Sequence, residues 1–291
     1  MMIAVKATRK ACAVKKACPS PRPLPVTDCG LPRIPVAASE DFNSTDRQVS
    51  GRHLASSGPI PVWKRVLDLF CIFLSLPVIL PLMAVVTLWI KLASHGPVLF
   101  RQERIGRNGK RFVLYKFRSM HLNADTRRHQ SYFRNLVRSN KPMVKLDLQY
   151  DSRLMRGGCI LRAAGLDELP QLINVLRGEM SLVGPRPCLV EEYRFFTARQ
   201  RERFEVLPGL TGIWQVHGKG TATFNEMNAM DSFYVRRCSP AMDLGIMMRT
   251  PLTLLRQLHQ AWQLLRMARG KAGLRGSEDL ALSGHHAQRQ S

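Results

Sequence analysis

Acidic residues are scarce in this chain of 291 residues: 21 Asp and Glu stand against 44 Lys and Arg, which gives a formal net charge of +23. Such an excess of positive charge indicates an anionic partner, which could be nucleic acid, an anionic bilayer or a phosphorylated substrate. Composition alone does not choose among the three. A hydrophobic content of 45% is within the globular range, so the chain can bury a core.

Paired cysteine motifs are absent as well. The 7 cysteines are scattered, with no C-x-x-C spacing, which argues against a disulfide framework or a zinc site and favours a reducing, cytosol-facing environment. The sequence also lacks a recognition-helix motif and an aromatic-basic platform for single strands, so only the net charge supports a nucleic-acid binder. We therefore predict no nucleic-acid partner.

Residues 1–62 lack a sustained apolar pattern. They are rich in proline and basic residues, and no apolar stretch follows the basic residues as it would in a secretory signal. Burial could not offset the entropy of ordering such a segment. The sequence therefore predicts a disordered extension, which either contacts lipid headgroups or is simply solvated.

Charge is absent from residues 69–90. As an α-helix this run would be about 33 Å long, enough to cross a hydrocarbon core. Pro77 and Pro81 lie at its centre, and basic residues flank both of its ends, which favours a cytosolic position for both ends. We predict a re-entrant helical hairpin that breaks at the prolines; a kinked single span is the alternative.

A second candidate membrane segment lies near the end of the chain. Between Pro251 and Arg269, apolar residues recur at helical spacing with arginines around them. The pattern is typical of an interfacial helix on an anionic bilayer, or of a core helix with a solvated basic face. Because a membrane segment is expected upstream, we favour the interfacial helix. Residues past about Gly270 are predicted to be disordered.

The region between these segments contains a hairpin signal. The pair Asn108-Gly109, between apolar stretches at 98–100 and 112–115, predicts a β-hairpin. Lys116 and Arg118 would then share one face of a strand, either as a phosphate clamp or as a basic surface facing lipid headgroups. Further along, the patterns predict a turn and strand at 208–216 and helices at 167–177, 189–203 and 224–237.

Two adjacent carboxylates, Asp167 and Glu168, are unusual in so basic a chain, and a Gly-Pro-Arg-Pro turn follows at 184–187. An Asp can attack phosphorus, a neighbouring Glu can bind a divalent metal ion, and an Arg can hold phosphate oxygens with its planar guanidinium. The alternative is that the two acids only begin an amphipathic helix, where they favour the positive end of the helix dipole.

Several motifs together resemble those of one family. In chain order they are Lys64-Arg65…Asp68, Gly96-Pro97-Val98, Phe100-Arg101-Gln102, Gly106-Arg107, Lys116 to Met120, Leu166 to Gln171, Met180 to Pro187, Pro208 to Val216 and Asp231…Tyr234. With these motifs, residues 63–258 resemble the bacterial sugar transferases, the monotopic enzymes that transfer a hexose-1-phosphate to polyprenyl phosphate. The apolar run at 69–90 then explains the net charge as attraction to lipid headgroups.

The resemblance implies an α/β, mostly α, small cytosolic catalytic core with one re-entrant membrane helix and interfacial amphipathic helices. The implied organisation is the disordered extension at 1–62, the re-entrant helix at 63–95, a catalytic domain at 96–258, and the end of an amphipathic helix with a disordered tail at 259–291. The resemblance also implies the bacterial inner (cytoplasmic) membrane, with the catalytic domain facing the cytosol and touching anionic membrane lipids. A homodimer is left open.

The resemblance further implies a reaction. The enzyme would transfer hexose-1-phosphate from a UDP-sugar to undecaprenyl phosphate, with Mg²⁺ as cofactor, in the first membrane step of exopolysaccharide, capsule or O-antigen synthesis. Asp167 matches the nucleophile, which forms an aspartyl phosphosugar and releases UMP, and Glu168 matches the acid that binds Mg²⁺. Other residues expected to contact the substrates are Lys116, Arg118, Arg162, Arg186, Lys219 and Asp231, while Pro77 and Pro81 mark the membrane break.

The chain departs from the family pattern at several positions. Leu80 stands where a serine commonly precedes the membrane proline, and Lys219 stands where an arginine is common. Upstream of the carboxylates, the departures are Ser152, Met155, Cys159, Ala163, Ala164 and Gly165. They motivate an alternative function, that of a catalytically weakened family member acting as a polyprenyl-phosphate-binding or scaffolding membrane protein.

Overall fold

The computed structural model describes residues 58–121, 133, 135–137, 139, 141–143, 153–218 and 220–287. The α-helices are α1 Val62–Ala93, α2 Gly158–Ala163, α3 Leu172–Leu176, α4 Phe224–Arg237 and α5 Pro240–Ala287. The strands are β1 Leu99–Ile105, β2 Arg111–Phe117, β3 Ser181–Val183, β4 Cys188–Leu189 and β5 Gly209–Thr211. The short helices are 3-10 turns at Arg107–Gly109, Leu166–Gln171, Glu192–Phe195 and Gln200–Phe204, and a π-helix at Trp214–Gly218. This mostly helical fold with small sheets agrees with the predicted class.

The predicted hairpin is confirmed. Strands β1 and β2 pair antiparallel from Leu99 opposite Phe117 to Ile105 opposite Arg111. At the tip, Asn108 and Gly109 have φ angles of 55° and 72°, the left-handed conformation that a tight turn between twisted strands requires. Strand β4 joins the outer side of β1, so the sheet order is β2-β1-β4 and β2 is an edge strand.

Helix α1 is apolar on two sides. One stripe, which includes Ile72, Val86 and Ile90, is buried against the domain, where it contributes to two hydrophobic cores. The opposite side exposes large apolar side chains. The predicted break is not seen, because the helix continues through Pro77 and Pro81. Each proline removes one backbone donor, yet packing along the buried stripe holds the helix on the domain on both sides of them.

Three other predicted elements differ from those in the structure. The helix predicted at 189–203 is wrong, since two 3-10 turns replace it. The side chains of Thr197 and Gln200 accept hydrogen bonds from each other's backbone amides, so a new helical turn begins here. Phe196 and Phe204, on either side of this point, are buried. The segment predicted as a helix at 167–177 is a 3-10 helix followed by α3, and the strand predicted at 208–216 is limited to β5.

The last two helices were predicted with unequal success. Helix α4 has the predicted limits, and a capping box between Thr223 and Glu226 fixes its start. Helix α5 is longer than the predicted segment 251–269, because it begins at Pro240 and its backbone continues to Ala287, past the residue where disorder was expected.

Candidate active site

The two carboxylates lie in the first turn of the 3-10 helix that follows Gly165. Gly165 has a φ of 70°, a conformation that favours glycine, and this reverses the chain after α2. Asp167 is buried, whereas Glu168 is half-buried. The 3-10 helix packs against β2, so the segment that carries both acids is supported by a strand.

Lys116 on β2 pairs with the second of these carboxylates. Its Nζ donates to Glu168 Oε1 at 3.0 Å, and both side chains are largely shielded from solvent. The structure therefore brings together Lys116 and Glu168, two of the predicted site residues, next to the predicted nucleophile Asp167.

The Gly-Pro-Arg-Pro turn is built by two parallel strands. Strands β3 and β5 pair through Ser181 with Gly209 and through Val183 with Thr211. A side chain on Gly209 would overlap the Gly184 backbone nitrogen, and one on Gly184 would overlap the Leu207 carbonyl. The glycines of the two motifs are therefore needed because the two backbones approach so closely.

Two buried arginines hold the turn by its carbonyl oxygens. Arg203 donates to the Arg186 oxygen at 3.0 Å, and Arg104 donates to the Pro187 oxygen at 3.1 Å. The Arg186 side chain is exposed. The turn thus presents Arg186 outward from a fixed backbone, as the phosphate-binding hypothesis requires.

Arg104 connects this turn electrostatically with Glu168. The pKa of Arg104 is lowered to about 10, mainly by burial and then by the charge of Arg186, while Glu192, Cys188 and, least of all, Glu168 oppose the shift. The fields of Arg186 and Glu168 therefore both reach Arg104, on β1. Sequence analysis missed Arg104, although its place two residues before Gly106 in the hairpin could have marked it as a strand residue near the site.

Asp231 on α4 pairs with a buried arginine. Its carboxylate pairs with Arg203 at 2.8 Å, and both side chains are buried. Burial raises the pKa of Asp231 to about 6, while Arg203 opposes the shift. Since Arg203 also holds the Arg186 carbonyl, Asp231 supports the turn through Arg203, a contact that the sequence pattern did not reveal.

The remaining predicted residues lie as follows. Arg118 is buried and donates to the carbonyls of Ser94 and His95 at 2.7 Å each, at the end of α1. Arg162 is half-buried in the last turn of α2. Lys219 lies outside the described residues.

The departures upstream of the carboxylates fall partly in the core. Met155 and Ala163 are buried, and Met155 packs with Val86, Ile90 and Phe117. Cys159 and Ala164 are half-buried. Ser152 lies outside the described residues. At least Met155 and Ala163 therefore serve packing.

A magnesium ion would need few protein ligands here. Within the described residues, no group of three or more His, Cys, Asp or Glu side chains is placed to hold a metal ion. Half-buried Glu168 fits the other common arrangement, in which one or two carboxylates and the phosphates of a substrate hold Mg²⁺.

A buried carboxylate lies beside a half-buried one that pairs with a lysine, and such a set of charges suits chemistry at phosphate groups. Helix α1, which is long and apolar enough to cross a membrane, indicates membrane association. The model of the bacterial sugar transferase family matches residues 60–257. The chain belongs to this family, and it is a transferase.

Curated relatives agree with this family. The chain is 41% identical over 215 residues to the UDP-glucose:undecaprenyl-phosphate glucose-1-phosphate transferase of Caulobacter vibrioides, which covers 69% of this chain and 75% of the relative. It is 36% identical over 201 residues to the undecaprenyl-phosphate galactose phosphotransferase of Salmonella typhimurium, covering 67% of this chain but only 40% of the relative. It is 35% identical over 187 residues to the exopolysaccharide production protein ExoY of Sinorhizobium fredii, covering 64% of this chain and 83% of the relative.

Proposed function

We propose that this protein transfers a hexose-1-phosphate from a UDP-sugar to undecaprenyl phosphate, releasing UMP, in the first membrane step of a polysaccharide pathway. The observation that carries the proposal is the pairing of half-buried Glu168 with Lys116 beside buried Asp167. The names of the Caulobacter and Salmonella relatives support the lipid acceptor and the sugar phosphate. They disagree about the sugar, so the proposal does not name one.

The chemistry divides into two displacements at one phosphorus. An oxygen of Asp167 attacks the sugar-bearing phosphorus, the bond to the UMP oxygen breaks, and UMP leaves with the electron pair. A phosphate oxygen of the lipid then attacks the same phosphorus and releases the Asp167 carboxylate. The product is undecaprenyl diphosphate-sugar.

The cations of the site have separate tasks. Lys116, already next to Glu168, is placed to neutralise a phosphate that approaches Asp167. Arg186, on its fixed turn, can contact a second phosphate oxygen. Mg²⁺, when bound, would neutralise the diphosphate, and Glu168 is the residue that would hold it.

The lipid substrate requires a membrane surface close to Asp167. Helix α5 exposes an apolar face, and its Leu254 packs against Gly165, just before the carboxylates. Arg266 lies 4.6 Å from the Trp262 ring centroid at one end of this face, a pairing typical of an interface. The exposed apolar residues of this face are Leu244, Met248, Leu252, Leu255 and Trp262.

Helix α1 would enter the bilayer from one side only. Its first turns are tied to the domain by Lys64, and its end is tied to the same domain by Arg118. Two ends fixed to one domain do not lie on opposite sides of a membrane. These two attachments support a monotopic protein in the cytoplasmic membrane, with no break at the prolines.

The test is UMP release from a panel of UDP-sugars by the full chain in lipid nanodiscs with undecaprenyl phosphate and Mg²⁺. At least one UDP-sugar should be turned over, and Asp167→Asn should abolish release. Glu103→Gln, an exposed acid on the hairpin, is the control that should keep turnover. Unchanged release by Asp167→Asn would refute the role of Asp167, and lipid binding without release from any UDP-sugar would favour the scaffolding alternative.

A further inference from the structure

The outer edge of β2 is closed by a side chain. An edge strand exposes backbone N–H and C=O groups to its unpaired side. On β2, the Asn174 side chain bonds two of these groups. Its Oδ1 accepts from the Tyr115 amide at 3.1 Å, and its Nδ2 donates to the Val113 carbonyl at 2.7 Å. The Asn174 amide therefore replaces the peptide group of a neighbouring strand.

Asn174 is also fixed from its own side. Its Nδ2 donates to Glu179 Oε2 at 2.6 Å, and its backbone oxygen accepts from the amides of Glu179 and Met180. The residue has 0% exposure. A buried amide with this many partners has one orientation, because any other would leave buried polar groups without hydrogen bonds.

The position of Asn174 links both halves of the site. It lies on α3, which continues directly from the 3-10 helix that carries Asp167 and Glu168. On the other side, Tyr115 immediately precedes Lys116. The bonds of Asn174 to β2 therefore fix the distance at which Lys116 meets Glu168.

We propose that Asn174 is a positioning residue for the transfer reaction, which holds the carboxylate-bearing segment on the edge of β2 in the register that pairs Lys116 with Glu168. The proposal rests on the proposed function for its kinetic consequence, while its geometric consequence can be measured without substrate. Small displacements of reacting groups cost rate much more than they cost binding.

The variant that tests this is Asn174→Asp. It keeps the shape and the acceptor for Tyr115, but it cannot donate to Val113 and it sets a second carboxylate against Glu179. We expect kcat to fall about tenfold or more with KM nearly unchanged. Labelling of the Lys116 amine by an amine-reactive reagent, followed by mass spectrometry without substrate, should become several-fold faster.

The control is Val175→Ala, at the neighbouring and equally buried position of α3. It should lower thermal stability while kcat and Lys116 labelling stay within about twofold of wild type. If Asn174→Asp does not fold, the double variant Asn174→Asp with Glu179→Gln carries the same test, since the amide that replaces the Glu179 carboxylate can donate to the new carboxylate.

The two proposals fail separately. Lys116 labelling in Asn174→Asp equal to that in Val175→Ala would overturn the positioning role, as would an equal kcat. If the wild type releases no UMP from any UDP-sugar, the proposed function fails, and the labelling comparison still decides the role of Asn174.

Discussion

The buried ion pair between Lys64 on α1 and Asp243 on α5 offers a sharp test of how the membrane helix is held. Lys64 Nζ donates to Asp243 Oδ2 at 2.6 Å, to the Tyr234 hydroxyl at 2.8 Å and to the Val183 carbonyl at 2.9 Å. Lys64 is 3% exposed and Asp243 is 1% exposed. Burial raises the pKa of Tyr234, so its hydroxyl stays protonated and donates to Asp243 Oδ1.

Asp243→Leu removes the carboxylate that Lys64 contacts and leaves the buried ammonium without its ion-pair partner. Breaking a buried pair in this way costs about 3–5 kcal/mol. For a domain of this size, that loss lowers the melting temperature by roughly 6–20 °C. The double variant Lys64→Met with Asp243→Leu removes both charges, and the Val183 carbonyl can still accept from Tyr234. We expect it to recover most of the loss.

Thermal unfolding of the full chain in one detergent measures all variants. The control pair is Arg111 and Glu103, 3.7 Å apart on the hairpin with side chains 64% and 61% exposed. Removing either control partner should change stability by about 1 kcal/mol or less. The reasoning fails if Asp243→Leu is as stable as these controls, or if the double variant loses the sum of its two single losses.

Two further predictions concern the membrane and pH. Val62→Cys and Leu92→Cys place single cysteines at opposite ends of α1 in a chain whose native cysteines are replaced. Both should react with an impermeant thiol reagent only after the inner membrane is opened. Reaction of one of them in intact cells would show that α1 spans the membrane. Because the pKa of Asp231 rises from 3.8 to about 6 on folding, its contribution to stability is complete at low pH and is lost as pH rises through 6. The wild type should therefore lose about 1 kcal/mol more than Asp231→Asn between about pH 5 and pH 8, measured by denaturant unfolding, and parallel pH curves would contradict this shift.

Local signals in the sequence were sufficient to predict the hairpin and the limits of α4. Asn108-Gly109 supplies the positive φ angles that the turn needs, and Thr223 supplies the cap that begins α4. Both features are decided by residues a few positions apart. The charged stretch 189–203 was wrongly predicted as one helix because its composition favours helix formation locally. The burial of Phe196 and Phe204 depends instead on distant parts of the chain.

The sequence predicted residues that lie together in the candidate site, but not the residues that support them. Sequence reasoning named Lys116, Asp167 and Glu168, and the structure places Lys116 against Glu168. It did not find Arg104 or Arg203, because each acts through backbone carbonyls of the Gly-Pro-Arg-Pro turn. A carbonyl acceptor leaves no residue-type signal in the sequence.

The start of α1 shows why an anchor and a catalytic domain are hard to separate in this chain. Asp68 Oδ1 accepts from the Ser181 hydroxyl and from the Leu182 amide at 3.0 Å each, and Lys64 bonds the Val183 carbonyl. These three acceptors and donors belong to β3, which leads into the Gly-Pro-Arg-Pro turn.

The far end of α1 is held in the same way, since Arg118 follows directly after β2 and donates to the carbonyls of Ser94 and His95, just past the last residue of the helix. A fragment that begins after residue 95 would leave Asp243 and Arg118 buried without their partners, and it would uncover the core formed with Ile72 and Ile90. Helix α1 is therefore part of the folded domain as well as its candidate membrane segment, and it helps to hold both β2, which bears Lys116, and β3, which leads into the turn.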